Sequence, residues 1–122
     1  MTPLHLLHNP RCSKSREALA LLEHSGRQVE VTDYQKTPLD LPALQALLSQ
    51  LRAAEPGFNT RELLRSGEEE YQSLNLARPE LSEAELLAAL AAHPKLLQRP
   101  IVSDGQRAVI ARPPERLKAL LG

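Results

Sequence analysis

Hydrophobic positions along the chain change their period several times, and each change predicts an element. Leu4, Leu6 and Leu7 form a short apolar run that ends at Asn9-Pro10, a strand feeding a loop. From Ser13 onward Ala18, Leu19, Leu21 and Leu22 take helical spacing, and Gly26 just beyond them reads as a C′ stop. Val29-Glu30-Val31-Thr32-Asp33-Tyr34 alternates apolar and polar, so a second strand follows. Strand, helix and strand in this order form a unit whose strands run parallel with a right-handed crossover.

The middle of the chain is predicted helical. Leu41, Leu44, Leu47, Leu48 and Leu51 keep one apolar face after Asp40 and Pro42, and Pro56-Gly57 interrupts it. Asn59-Thr60-Arg61-Glu62 reads as the start of a helix that carries Leu63 and Leu64. Ser82-Glu83-Ala84-Glu85 reads as a capping box, with Leu81 and Leu86 at the staple positions, for a helix running through Leu87 and Leu90 to His93-Pro94. Ile101-Val102 and Ala108-Val109-Ile110 flank Ser103-Asp104-Gly105-Gln106, where Asp-Gly between apolar runs signals a hairpin. Pro113-Pro114 opens a last helix with Leu117, Leu120 and Leu121. The sum is β-α-β, a helical block, then β-β-α. This is the order of an α/β thioredoxin-like fold with a helical insertion at about 39–95, expected as a single domain over residues 1–122.

Composition narrows the function classes. At 42% hydrophobic the 122 residues can bury a core without disulfide or metal staples, and with 2% aromatic that core is mostly Leu, Ala and Val. Lys plus Arg equals Asp plus Glu at 15 each, so no overall charge draws the protein to nucleic acid or membrane. The single Cys excludes an internal disulfide and fits a reducing compartment. No His, Cys, Asp and Glu cluster stands at ligand spacing, so no metal is expected. The N-terminal stretch has no basic segment leading into an apolar one, and no apolar run approaches the roughly 20 residues that span a bilayer. The expectation is a cytoplasmic monomer with no bound cofactor.

Cys12 is the first candidate for chemistry. It follows the first strand and precedes the first helix, where a thiolate meets free backbone N–H groups and the positive helix end. Arg11, Lys14, Arg16 and His8 add positive charge nearby, and such surroundings lower a thiol pKa and make a nucleophile. The competing reading is a small buried hydrophobe. Ser13 and Ser15 are candidates to cap the helix or to bond the thiolate. Ser15 also stands where a Cys-X-X-Cys pair would put its second thiol, so any disulfide must include an external thiol. Arg65, Arg99 and Arg112 form the second set. Arg99 and Arg112 each precede a proline, which holds them extended near strand ends. Arginines gathered in a cleft would bind a tetrahedral oxyanion through their planar forks, whereas most arginines are simply surface residues.

The segment His8-Asn9-Pro10-Arg11-Cys12-Ser13-Lys14-Ser15-Arg16 resembles the active-site loop of the glutaredoxin-coupled arsenate reductase family. Arg61-Glu62-Leu63-Leu64-Arg65 with Tyr71-Gln72-Ser73-Leu74-Asn75-Leu76 resembles its helical insertion, and His93 to Val102 the segment before its third strand. Ala111-Arg112-Pro113-Pro114-Glu115 resembles its C-terminal signature. The resemblance implies Cys12 as the catalytic nucleophile, His8 and Ser15 as supports of the thiolate, a cis proline at Pro100, and Arg65, Arg99 and Arg112 as oxyanion-binding residues. Arg61 and Arg65 lie four apart on the predicted helix face, and the motif favours Arg65. Arsenate would be attacked by Cys12, with glutathione as co-substrate and glutaredoxin as the partner that reduces the mixed disulfide.

Two alternatives share this fold. Spx-like regulators bind RNA polymerase and typically carry a Cys-X-X-Cys switch, against which Ser15 counts. A glutathione-dependent thiol reductase would have no arsenic chemistry. The arginine trio discriminates, because only an oxyanion enzyme needs it.

Overall fold

The computed structural model of the protein describes residues 3–112 and 114–121, and of residues 114, 119 and 121 the backbone alone. Its elements are β1 (Leu4–His8), α1 (Ser13–His24), β2 (Val29–Asp33), α2 (Leu41–Ala54), α3 (Glu69–Ser73), α4 (Glu83–Ala92), β3 (Ile101–Ser103), β4 (Ala108–Ile110) and α5 (Lys118–Leu121). Short 3-10 turns occupy Thr60–Leu63, Pro94–Leu96 and Pro114–Leu117. The sheet order is β2-β1-β3-β4. β1 pairs parallel with β2, and β3 pairs antiparallel with both β1 and β4. This is the predicted thioredoxin-like arrangement, with the helical block lying between β2 and β3.

Side-chain alternation divides the core between the two sheet faces. Leu4 and Leu6 of β1 and Val102 of β3 pack with Ala18 and Leu22 of α1 and with Leu117 and Leu120. Ile101, the neighbour of Val102, belongs to the other cluster, with Leu44, Leu48 and Leu51 of α2 and Leu87 and Leu90 of α4. Helices therefore cover both faces of the sheet, as β-α-β connectivity requires.

Local signals set most of the boundaries. Gly26, at φ +76°, follows the α1 C-cap Ser25 in the left-handed conformation glycine adopts without a Cβ penalty. The Asp40 carboxylate accepts the Ala43 N–H at 2.9 Å and starts α2. At α4 the Ser82 hydroxyl accepts the Glu85 N–H at 3.2 Å while the Glu85 carboxylate accepts the Ser82 N–H at 3.1 Å. The β3–β4 hairpin turns through Gly105 at φ +95°. Pro113 and the Leu121 side chain, assigned above to the last helix, lie outside the described residues.

The helix expected from Asn59 does not propagate. Asn59 and Glu62 form a capping box, but only a 3-10 turn follows. The Arg65 N–H donates to the Leu96 carbonyl at 2.8 Å and the Gln98 N–H to the Leu63 carbonyl at 2.7 Å, forming an antiparallel bridge between Leu64 and Leu97. Backbone groups engaged across the chain in this way cannot continue an α-helical ladder. Arg61 and Arg65 consequently do not share a helix face. The Arg61 guanidinium donates instead to the carbonyls of Leu76, at 2.9 Å, and Arg78.

Leu6 is fully buried. Leu6→Ala is expected to cost about 2–5 kcal/mol in chemical denaturation, against about 1 kcal/mol for Ser82→Ala at the α4 cap. Equal costs for the two would contradict this packing.

Candidate active site

β1 and β2 end side by side, with His8 opposite Asp33. The carboxyl ends of parallel strands are where open α/β sheets place their sites. Beyond His8 the chain turns through Asn9-Pro10-Arg11 into α1, and the loop is fixed by its own polar atoms. The Cys12 N–H donates to the Asn9 carbonyl at 2.9 Å, and the Arg11 N–H to Asn9 Oδ1 at 3.0 Å. The Asn9 N–H donates to Ser15 Oγ at 3.0 Å, and His8 Nδ1 lies 2.7 Å from the same hydroxyl. Ser15 is completely buried. Its hydroxyl thus pins the end of β1 to α1 rather than reaching the Cys12 sulfur.

Cys12 is the N-cap residue of α1, with extended backbone at φ −95° and ψ 122°, and is half-buried. The first turn of α1 has no acidic residue to offset the helix end. Burial pushes the Cys12 thiol pKa up, but the Ser15 N–H, the Arg99 guanidinium and the Lys14 N–H favour the thiolate and bring it below its ordinary value. Although these groups favour the charged sulfur, no side-chain capping hydrogen bond closes from Cys12. The cation at the sulfur is Arg99, brought from far along the chain. Lys14 turns to Glu17 at 3.6 Å, and Arg16 acts on His8.

The arginines arrive from two directions. Arg99 precedes cis Pro100 and β3, and its Nη1 donates to the Tyr34 hydroxyl at 3.4 Å. Arg65 follows the Leu64–Leu97 bridge and lies near enough to Tyr34 to act on its phenol. Arg65 Nε stands 3.9 Å from Glu68, beyond hydrogen-bond range. Arg65 Nε and Nη1 and Arg99 Nε are buried donors without a hydrogen-bond partner. Donors of this kind suit an anion as acceptor. Arg112 is exposed, and its Nη1 donates to the Arg99 carbonyl at 3.4 Å.

Sequence patterning does not single out Tyr34, which accepts from Arg99, or Asn9, whose carbonyl accepts the Cys12 N–H. The position of Tyr34 just past the end of a parallel strand was the available signal. Among the described residues no group of three or more His, Cys, Asp or Glu could hold a metal ion, and no helix is long and apolar enough to cross a membrane.

A thioredoxin-like sheet with a cysteine at the α1 N-terminus and the Arg99 guanidinium beside it defines the class. The chain belongs to the ArsC family, whose pattern it matches over residues 7–120. It is 47% identical to YfgD of Escherichia coli K12, over 96% of this chain and 95% of that one. It is 42% identical to a protein named arsenate reductase in Neisseria meningitidis, over 99% of this chain and all of the relative. The solved structure of an arsenate reductase from Vibrio cholerae superposes with a TM-score of 0.87 at 42% identity, covering 96% of each chain.

Two measurements follow from this geometry. The ultraviolet thiolate absorbance of Cys12, with Cys12→Ser as blank, should titrate below the usual thiol value of about 8.5, and Arg99→Ala should move it upward. A wild-type value at or above the reference contradicts the electrostatic account. Burial lowers the pKa of His8, partly opposed by Asp33 and reinforced by Arg16. Between the folded value and the unfolded one, about 6.5, the unfolded chain holds more protons. The stability contributed by neutral His8 is therefore complete above that value and lost as pH falls toward the folded pKa. Melting temperature should drop more steeply on acidification in wild type than in His8→Asn, and parallel curves would exclude this linkage.

Proposed function

We propose that the protein is an arsenate reductase in which Cys12 is the nucleophile. The observation that carries this reading is the Cys12 sulfur at the α1 N-terminus beside Arg99, with buried donors on Arg65 and Arg99 that make no hydrogen bond. The names of the Neisseria and Vibrio relatives support arsenate as the oxyanion. A general thiol reductase or a polymerase-binding regulator has no use for buried guanidinium donors left unpaired.

In the proposed reaction arsenate sits against Arg65 and Arg99, with Arg112 completing the set, and their donors meet charge as it develops on oxygen. The Cys12 thiolate attacks arsenic, a sulfur–arsenic bond forms, and one arsenate oxygen leaves as water after taking up protons from solvent. Glutathione attacks this adduct. The arsenic takes up two electrons and is released as arsenite, leaving a mixed disulfide that glutaredoxin reduces. Arsenate and two thiols thus give arsenite, a disulfide and water. Ser15 cannot resolve a disulfide, so both reducing thiols come from outside. His8 and Ser15 act indirectly, by holding the loop that presents the sulfur.

Arsenate-dependent NADPH consumption with glutathione, glutaredoxin and glutathione reductase tests the reading. Cys12→Ser should abolish turnover, because a hydroxyl lacks nucleophilicity here without a strong base. Arg65→Ala, Arg99→Ala and Arg112→Ala should each lower kcat/KM by roughly one to three decades, with only partial rescue by Lys. Arg61→Ala should mainly lower stability. Wild-type protein without arsenate-dependent turnover under these conditions would refute the assignment.

A further inference from the structure

We propose that Tyr34 is a positioning residue for Cys12, its phenol oxygen holding the Arg99 guanidinium and the Asn9 side chain together and so fixing the guanidinium against the sulfur. The proposal rests on the reading of Cys12 as nucleophile given above.

Tyr34 lies immediately after β2 and is 1% exposed, one of two tyrosines in the chain. Its ring fills core, a task phenylalanine could perform. The oxygen does something else. Arg99 Nη1 donates to it at 3.4 Å, and the Asn9 side chain lies near enough to act on the phenol as well. Asn9 Oδ1 accepts from the Arg11 N–H, so the amide NH2 is the part of the side chain left to favour charge on the phenol oxygen. The Asn9 carbonyl in turn receives the Cys12 N–H. One buried oxygen thereby connects the approach to β3, which carries Arg99, with the loop that carries Cys12.

The choice of a phenol has a chemical logic. A carboxylate here would pair with Arg99 and neutralise the charge that a thiolate or an oxyanion requires. Phenylalanine would leave the guanidinium with one anchor fewer. A phenol kept protonated by burial orients the guanidinium without cancelling it. The nearby Arg65 guanidinium reinforces the point, since an anion at this position would be drawn to both arginines.

The test uses the intact chain and iodoacetamide as the probe. Alkylation of Cys12 is measured against pH in wild type, Tyr34→Phe, Arg99→Ala and the double variant, with thermal unfolding recorded for each. Tyr34→Phe keeps the ring and should stay folded. It should raise the Cys12 pKa and slow alkylation at neutral pH by about threefold or more, the change expected for roughly half a unit. In the Arg99→Ala background the same substitution should change neither quantity, because Tyr34 acts through Arg99. An unchanged Cys12 titration in folded Tyr34→Phe protein, or an equal effect with Arg99 absent, would overturn the proposal. The assay contains neither arsenate nor a thiol donor, so failure of this linkage and failure of the reductase reading are separate results.

Discussion

The antiparallel pairing of β3 with β1 is the constraint on which the site depends. Leu7 stands opposite Ile101 and His5 opposite Ser103. The last of the pairs, Leu7 with Ile101, lies two residues from Asn9 on one strand and two from Arg99 on the other, where β1 gives way to the Cys12 loop. β3 is only three residues long and is held from both sides, by β1 and by β4. The position of one guanidinium relative to one sulfur is therefore decided by backbone hydrogen bonds on the opposite side of the cis Pro100 bond from the side chain that matters.

The insertion contributes a second anchor of the same kind. Its helices are fastened by apolar packing on α2 and α4, but Arg65 is placed by main chain, through the Leu64–Leu97 bridge and the Arg65 N–H to Leu96 contact. Arg65 and Arg99, each with buried donors that make no hydrogen bond, thus both sit next to extended backbone held by cross-chain pairing. This matters because an arginine side chain carries large rotamer entropy. Fixing its root reduces the rotamer freedom that any partner of its donors would have to order.

Local patterning made most of the fold legible. The strand–helix–strand unit, the Gly26 stop, the Ser82 box and the Asp-Gly hairpin are signals confined to a few adjacent residues, and the structure contains each of them. The Asn59 segment misled because its capping box is real while the continuation is decided by Leu96 and Gln98, which no local pattern reveals. The candidate site divides in the same way. Cys12 at a helix start could be read directly, but the nearby Arg11, Lys14 and Arg16 suggested themselves as its cations, whereas the structure supplies Arg99. Arg61 and Arg65 differed only in motif, and long-range carbonyl contacts separate them. Tyr34 was read as the last position of an alternating strand, and nothing in that alternation shows which way its oxygen points.

Ser15 carries an implication for how proteins of this shape exchange one chemistry for another. The buried hydroxyl serves His8 and the Asn9 N–H together. A thiol in its place is a weaker acceptor and a larger atom, so installing one would loosen the hinge between the sheet and α1 at the moment it created a dithiol. The serine hydroxyl is thus a structural fastener, and a gain of dithiol chemistry at this position trades against the join between β1 and α1.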